Sequence, residues 1–270
     1  MVEISSKYKI GARRFGSVNW IGAWTLYKKE VLRFLNVWIQ TIFSPLVSAL
    51  LFLLVLSLAI GTDKGNVLGV PFINFLAPGL VAMQVIQQSF SHSASSFMIG
   101  KIQGNIVDIL YAPLSAGEVT FAITLAAVTR SVMIAFISIC IFHIIVDFEI
   151  KNYFILILYT FLSSFILGAL GIVAGLWAEK FDHMATVTNF IIVPLSFLSG
   201  TFYTIDKLPV YLQTISKGNP FFYMIDGFRY SFIGQSDGSL IVGSVYLTTL
   251  SFIMFVTAFT LYKKGYKIKS

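Results

Sequence analysis

Long apolar runs alternate with short polar connections along most of the chain. An α-helix rises about 1.5 Å per residue, so about 20 mostly apolar residues cross a hydrocarbon core of roughly 30 Å. Six segments meet that requirement: residues 37–60, 71–97, 119–146, 154–177, 185–202 and 240–262. Because no internal repeat or linker divides the sequence, the pattern predicts one all-α integral membrane domain over residues 1–270 with six transmembrane helices.

The segment before the first span, residues 19–34, has a different pattern. Trp20, Trp24 and Tyr27 recur at helical spacing with Val31, while charged residues occupy positions 28–30. A helix with one aromatic face and one charged face lies in the headgroup plane with its aromatic side toward the lipid. We therefore expect an N-terminal amphipathic interfacial helix here.

Composition and charge support the membrane class and predict a topology. Hydrophobic residues make up 57% of the chain and charged residues 11%, against roughly 25% charged residues in soluble domains. The net charge of +7 comes from basic residues that flank the apolar runs rather than from a solvated patch, so nucleic acid is not an expected partner. The basic residues lie mainly on the side that holds the N-terminus, which predicts a multi-pass plasma-membrane protein with both termini in the cytoplasm.

The sequence lacks the motifs that would perform bond chemistry. No G-x-x-x-x-G-K-[ST] phosphate-binding loop occurs, because Gly100 and Lys101 precede Ile102 and lack the earlier glycine. No H-E-x-x-H zinc motif occurs, and the single cysteine, Cys140, excludes a disulfide or a cysteine metal site within the chain. We therefore predict no catalytic residue, no metal site and no ATP hydrolysis by this chain itself.

A polar stripe runs along the second predicted span at steps of four, three and four residues. Its members are Gln84, Gln88, Ser91 and Ser95, with Gln87 and His92 alongside. Polar groups at membrane depth are costly and serve either helix packing or an aqueous pathway. Three glutamines exceed what packing needs, so we favour a pathway or a subunit interface.

Two further polar features lie inside predicted spans. The fifth span carries Asn189, Ser196 and Ser199, and Pro194 is expected to bend it. Arg130 stands a third to halfway along the third span. For this charge, snorkelling to the headgroups or a hydrogen bond to a neighbouring helix is favoured over substrate contact, which stays open as the alternative.

The connection between the second and third spans predicts a short helix across the cytoplasmic membrane surface. Gly104 and Asn105 start it and Pro113 stops it. Its apolar positions at helical spacing are Ile106, Ile109 and Leu110. Such a helix is either an interfacial anchor or a docking element for a soluble partner.

Residues 204–236, between the fifth and sixth spans, are expected on the outer side as a re-entrant segment. Asn219 would cap a helix that starts at Pro220, and the aromatic run 221–224 would dip into the outer leaflet. Asp226 and Arg229 would then form an exposed pair on the helix face, worth about 0.2–0.5 kcal/mol.

These features, in this order, resemble the permease subunits of ABC-2-type transporters over essentially the whole chain. The matching stretches are FLAPGL (75–80), GNIVDILYAPLS (104–115), PLSFLSGTFY (194–203), LP (208–209) and NPFFYMIDGFRY (219–230). The resemblance implies a six-helix half-transporter of the bacterial inner membrane that dimerises, most simply with a second copy, and surrounds a pathway in contact with lipid. It also implies a separate cytoplasmic ATPase subunit that binds the ATP and magnesium, so that no cofactor belongs to this chain, and an alternating-access export mechanism.

The resemblance also implies roles for named residues. Those expected to couple to the ATPase are Lys28, Lys29, Glu30, Gly104, Asn105, Asp108, Leu110 and Pro113. Those expected to line the pathway are Gln84, Gln88, Ser91, Ser95, Asn189, Ser196 and Ser199. Those expected to form an outer gate are Phe221, Phe222, Tyr223, Asp226 and Arg229.

An ion-gradient-driven secondary transporter or channel is the alternative. Such proteins place ionisable residues near the bilayer midplane to carry protons or sodium. In the sequence only Arg130 meets that description, and no acid accompanies it at the same predicted depth.

Overall fold

The structure, a computed structural model, describes residues 18–60, 66–147 and 149–268. The basic residues predicted to set the N-terminal topology, Lys7 to Arg14, lie outside them. The helices are α1 Trp20–Asn36, α2 Ser44–Ile60, α3 Phe72–Ile102, α4 Ile106–Tyr111, α5 Ala116–Ile145, α6 Tyr153–Trp177, α7 Phe181–Val187, α8 Val193–Leu198, α9 Val210–Gly218, α10 Pro220–Ile233 and α11 Leu240–Lys263. A two-residue antiparallel hairpin, β1 Asn66–Val67 and β2 Val70–Pro71, precedes α3.

Within the described residues, five helical segments are long and apolar enough to cross a membrane. They are Ile39–Ala59, Ala116–Ile145, Tyr153–Trp177, Phe181–Leu198 and Leu240–Lys263. They match five of the six predicted spans to within four residues at each end, so the all-α membrane class is confirmed. The remaining predicted span corresponds to α3, which is long enough at roughly 46 Å but falls outside this set because polar residues lower its hydropathy.

Helix α3 is the central element of the bundle. It packs against α5, α6 and α10, and α2 covers part of its remaining surface. Phe75, Ile86 and Ala94 are fully buried on its packed side. The polar stripe follows another side of the same helix, so α3 joins the core to the site described below.

Two π-helical stretches interrupt the apolar helices. Ile39–Phe43 leads into α2, and Thr188–Ile192 joins α7 to α8. The second stretch ends just before Pro194, which lies in the first turn of α8. Because a proline lacks the backbone donor that an interior helical position requires, the change of hydrogen-bond pattern accommodates it there.

The segment predicted to form an interfacial helix is helical, as α1, and its place in the headgroup plane stays a prediction. Leu26, Glu30 and Phe34 are buried as α1 packs along α5. Trp20 and Trp24 are exposed on another face. The spacing of Leu26, Glu30 and Phe34, four residues apart, defines the protein-facing side of the helix.

The segment after the fifth span forms a pair of helices rather than one continuous element. Asn219 ends α9 and caps α10, and its side chain accepts a hydrogen bond from the Phe221 amide (3.0 Å). Pro220 occupies the first turn of α10, as predicted. Helix α10 packs against α3, α6 and α11 and is therefore an internal element.

Candidate functional site

A cavity of about 780 Å³ opens between the start of the first span and α3. Its wall includes all four members of the predicted stripe: Gln84, Gln88, Ser91 and Ser95. Residues from α1, α2 and α5 complete it, Arg33, Pro45 and Arg130 among them. The four stripe residues therefore lie together on one wall of the cavity, and the volume of the cavity is typical of small-molecule sites.

Two stripe residues also hold helices together. Gln84 donates a hydrogen bond from Nε2 to the Pro45 carbonyl (2.6 Å) and accepts one from the Ser138 hydroxyl (3.1 Å). The Gln88 amide oxygen accepts a hydrogen bond from Arg130 Nη2. The same face therefore contributes to helix packing and also lines the cavity; its role in a pathway or a subunit interface stays a prediction.

Arg130 reaches a neighbouring helix rather than the headgroups. Its side chain, 6% exposed, bonds Gln88 of α3 and donates to the Thr41 carbonyl (3.4 Å). The favoured expectation of a hydrogen bond to another helix is confirmed. Arg130 nevertheless also lines the cavity.

Glu30 forms a buried ionic cluster that the sequence did not predict. It is 2% exposed and accepts hydrogen bonds from Arg33 Nε (2.9 Å) and the Ser96 hydroxyl (2.9 Å). His92 Nε2 lies 3.8 Å from the same carboxylate oxygen. The expected place of Glu30 on the docking surface is therefore corrected, because an oxygen buried under α3 cannot reach a soluble partner.

The spacing of Glu30 and Arg33 in the sequence was the available signal for this pair. Arg33 also contacts α3 through the His92 carbonyl (3.2 Å) and the Ser95 hydroxyl (3.4 Å). The partners on α3 are about sixty residues away, and no local pattern indicates such a contact.

The polar residues of the fifth span do not line this cavity. Asn189 is exposed on the surface of the chain. Ser196 and Ser199 are buried and donate to carbonyls of their own helical turn, those of Ile192 and Leu195. The structure of a single copy does not bring these three residues to the cavity. Their role in lining a pathway stays a prediction.

The predicted docking residues other than Glu30 are all exposed, five of them in or beside α4 and two on α1. Gly104, Asn105, Asp108, Leu110 and Pro113 are exposed, as are Lys28 and Lys29 on α1. Ile106 is buried and anchors α4 below α3. Leu110, expected on the apolar side, is exposed instead, because Ile106 alone is buried among the six residues of α4.

Asn19 ties the start of α1 to the turn after α4. Its backbone amide donates to Glu118 Oε1 (2.6 Å) and its side-chain amide donates to the Pro113 carbonyl (2.9 Å). Its side-chain oxygen caps α1 by accepting from the Gly22 amide (2.9 Å). Glu118 also forms a capping box with Ser115 at the start of α5. Three helix ends are therefore tied together by hydrogen bonds.

Arg229 joins three of the sequence stretches that were quoted for the family resemblance. Its Nη2 donates to the carbonyls of Gly200 (2.8 Å) and Thr201 (3.2 Å), and its guanidinium carbon lies 3.8 Å from the centre of the Phe75 ring. Gly79 provides the space, since a Cβ there would lie 2.9 Å from Nη2. The stretches around Phe75, Gly200 and Arg229 are thus three sides of one contact.

The expected exposed pair between Asp226 and Arg229 is wrong. Asp226 and Arg229 are 3% and 1% exposed, and the ion pairs of the described residues do not include them. Asp226 instead accepts hydrogen bonds from the amides of Asp237 (2.9 Å) and Gly238 (3.0 Å). Burial raises the pKa of Asp226 to about 6, against the opposing effect of those bonds and of Arg229.

The aromatic residues of the predicted outer gate are also mostly internal. Phe221 and Phe222 are buried and do not face the outer leaflet. Tyr223 is half-buried and packs edge-on against Tyr246 of α11, with ring centres 5.4 Å apart. The reason is that α10 packs against α3, α6 and α11, and this packing buries its apolar side chains against the three helices.

These features, which are several apolar helices long enough to span a membrane and a cavity lined by polar residues, define a multi-pass membrane protein. The chain belongs to the ABC-2 type transporter family, because the model of that family matches residues 22–233. It is 29% identical over 251 residues to the inner membrane transport permease YadH of Escherichia coli, covering 93% of this chain and 98% of that protein. It is 26% identical over 227 residues to nodulation protein J of Rhizobium leguminosarum bv. viciae, covering 82% of this chain and 84% of that protein.

Proposed function

We propose that the chain is the transmembrane permease of an ATP-binding-cassette exporter in a bacterial inner membrane. Two copies enclose the pathway, each contributes six spans with α3 as the second, and both termini face the cytoplasm. The observation that carries this proposal is the cavity, because four polar residues from one face of α3 line a space of about 780 Å³ beside apolar helices. The name of YadH supports the inner-membrane location.

A separate cytoplasmic ATPase supplies the energy in this proposal. Nucleotide-driven closure of the ATPase pushes on the surface around α4, and the Asn19 contacts pass the movement to α1 and α5. Because α5 and α1 carry Arg130 and Arg33 of the cavity wall, the movement changes the shape of the cavity. The α9–α10 segment re-enters from the outside and closes the pathway there.

The docking surface is tested by reversing one exposed charge. We expect Asp108→Lys to reduce co-purification of the ATPase at least tenfold, or to uncouple ATP hydrolysis from transport, at normal abundance of the permease. Asp182→Lys is the matched control, since Asp182 is an exposed acid in the first turn of another short helix, α7. Unchanged co-purification and unchanged transport-coupled hydrolysis in Asp108→Lys would contradict the proposed coupling.

A second candidate is an ion-gradient-driven transporter or channel. The buried Glu30 carboxylate, 3.8 Å from His92 of α3, is the observation that favours it, since buried ionisable pairs serve as proton relays in transporters. Purified permease in vesicles without any ATPase distinguishes the two functions. Uptake or release driven by a pH gradient and abolished by Glu30→Gln would establish the second candidate, whereas transport that requires the ATPase and ATP would exclude it.

A further inference from the structure

The charge of the cavity wall is one-sided. Two cations, Arg33 and Arg130, line it, and its described lining includes no Asp or Glu. Three glutamines that make no part of the central stripe, Gln40, Gln87 and Gln103, add amide donors. The single acid nearby, Glu30, lies behind the wall and pairs with Arg33, so Arg130 is the cation of the wall that has no carboxylate partner.

Arg130 supplies the strongest part of this charge. It is buried, and its contacts are an amide oxygen and a backbone carbonyl rather than a carboxylate. Its Nε has no hydrogen-bond partner among the described residues. A buried guanidinium with an unused donor is costly unless an anion or a polar group completes it. Arg33 differs from Arg130 in that its Nη2 lies 2.9 Å from the Glu30 carboxylate, while its hydrogen bonds to the His92 carbonyl and the Ser95 hydroxyl are 3.2 and 3.4 Å long.

The other end of the cavity is apolar. Ala49 and Phe52 of α2 face Leu80 and Met83 of α3 there. The cationic end lies near the close of α1, and the apolar end lies further along α2, toward the middle of the first span. This order is that of an amphiphile in the inner leaflet, with its head toward the cytoplasm and its chain toward the midplane.

We propose that the cavity binds the phosphate- or sulfate-type anionic headgroup of an amphiphilic substrate between Arg33 and Arg130, with the apolar chain along Phe52, Leu80 and Met83. This substrate class rests on the proposed exporter function. A guanidinium fork matches the oxygens of such a group in geometry as well as charge. The adjacent glutamine amides donate to the remaining oxygens.

The test measures binding to the purified permease in a neutral detergent by native mass spectrometry. The probes are an alkyl phosphate, the alkyl glucoside of the same chain length, and inorganic phosphate. Gln87→Glu adds an acid of equal size to the wall at a half-buried position and leaves Arg130 with its partners. We expect this variant and Arg130→Gln each to weaken alkyl phosphate binding by about tenfold or more. Lys217→Gln, which removes an exposed cation from α9, is the control and leaves binding unchanged.

Each outcome is decisive. Tight alkyl phosphate binding that depends on Gln87 and Arg130, with weak inorganic phosphate binding, supports an amphiphilic substrate; equal binding of inorganic phosphate supports the anion site with a soluble anion as its source. Equal affinity for the alkyl glucoside, or no effect of Gln87→Glu, overturns the proposal. The assay contains no ATPase, so a negative result leaves the exporter function intact, whereas failure of the ATPase to co-purify would overturn that function alone.

Discussion

Asp226 and Arg229 show how two charges three residues apart can serve different contacts. On an exposed helix they would face each other, but in α10 both are buried and turn to backbone groups of separate loops. Arg229 binds the carbonyls that follow the fifth span, and Asp226 binds the amides that precede α11. The two residues therefore attach α10 to the loop that follows α8 and to the loop that precedes α11.

The pKa of Asp226 predicts a pH effect on stability. Its folded value of about 6 lies above its ordinary value of 3.8, so between these values the folded protein binds the proton more tightly than the unfolded chain does. The contribution of Asp226 to the free energy of unfolding thus falls as the pH rises through this window. We expect Asp226→Asn to gain in thermal midpoint relative to the wild type on going from pH 4.5 to pH 7, in detergent.

The side-chain amide in Asp226→Asn has one acceptor oxygen fewer than the carboxyl group. This loss adds a difference in thermal midpoint between the variant and the wild type that does not change with pH. Only the pH-dependent part of the difference is therefore diagnostic. Asp206→Asn, at an exposed site near the same loops, is the control and should follow the wild type. A constant difference between Asp226→Asn and the wild type across this range would show that the carboxyl does not titrate there.

At the scale of elements, the ends of α1, α4 and α5 form one connected unit through Asn19. The Asn19 side chain caps α1 and also binds the turn after α4. In the proposed mechanism it therefore passes a displacement of α4 to α1, in addition to stabilising the end of α1. We expect Asn19→Ala to lower stability by about 1–2 kcal/mol, the cost of losing a helix cap, and to leave ATPase binding intact while hydrolysis becomes uncoupled from transport. Transport and hydrolysis measured together in proteoliposomes check this.

Asn152→Ala is the matched control for that experiment. Asn152 caps α6 through the Ile155 amide (3.1 Å) but lies at the opposite end of the bundle from α4. The control should lose similar stability and keep its coupling. Equal uncoupling in both variants would mean that the effect of Asn19 is loss of stability alone.

At the scale of the whole molecule, the cavity must be open to water if it is a pathway. Ser91 lines it and is exposed, whereas Ser93 on the same helix is fully buried toward α6. In a Cys140→Ser background we expect Ser91→Cys to react with a small hydrophilic thiol reagent at least tenfold faster than Ser93→Cys. Labelling is read by mass spectrometry of the folded protein in vesicles; equal slow rates would indicate a dry packing groove.

The sequence by itself determined the membrane class, the bounds of five apolar helices, the amphipathic helix α1 and the polar face of α3. Each of these features depends on composition or on helical spacing within one segment, and both can be evaluated from the sequence of that segment alone. The family resemblance added the roles of separate elements, and it selected stretches that the structure brings together around Arg229.

Only the tertiary structure decided which faces are covered. Helical spacing shows that Glu30 and Arg33, or Asp226 and Arg229, share a side of a helix, but it does not show what lies against that side. Long-range packing buried Glu30 under α3, and it enclosed α10 within the bundle. It also brought Arg33 of α1 and Arg130 of α5 to one cavity. The charge of that cavity is therefore a property of the assembled helices, because no single segment carries it.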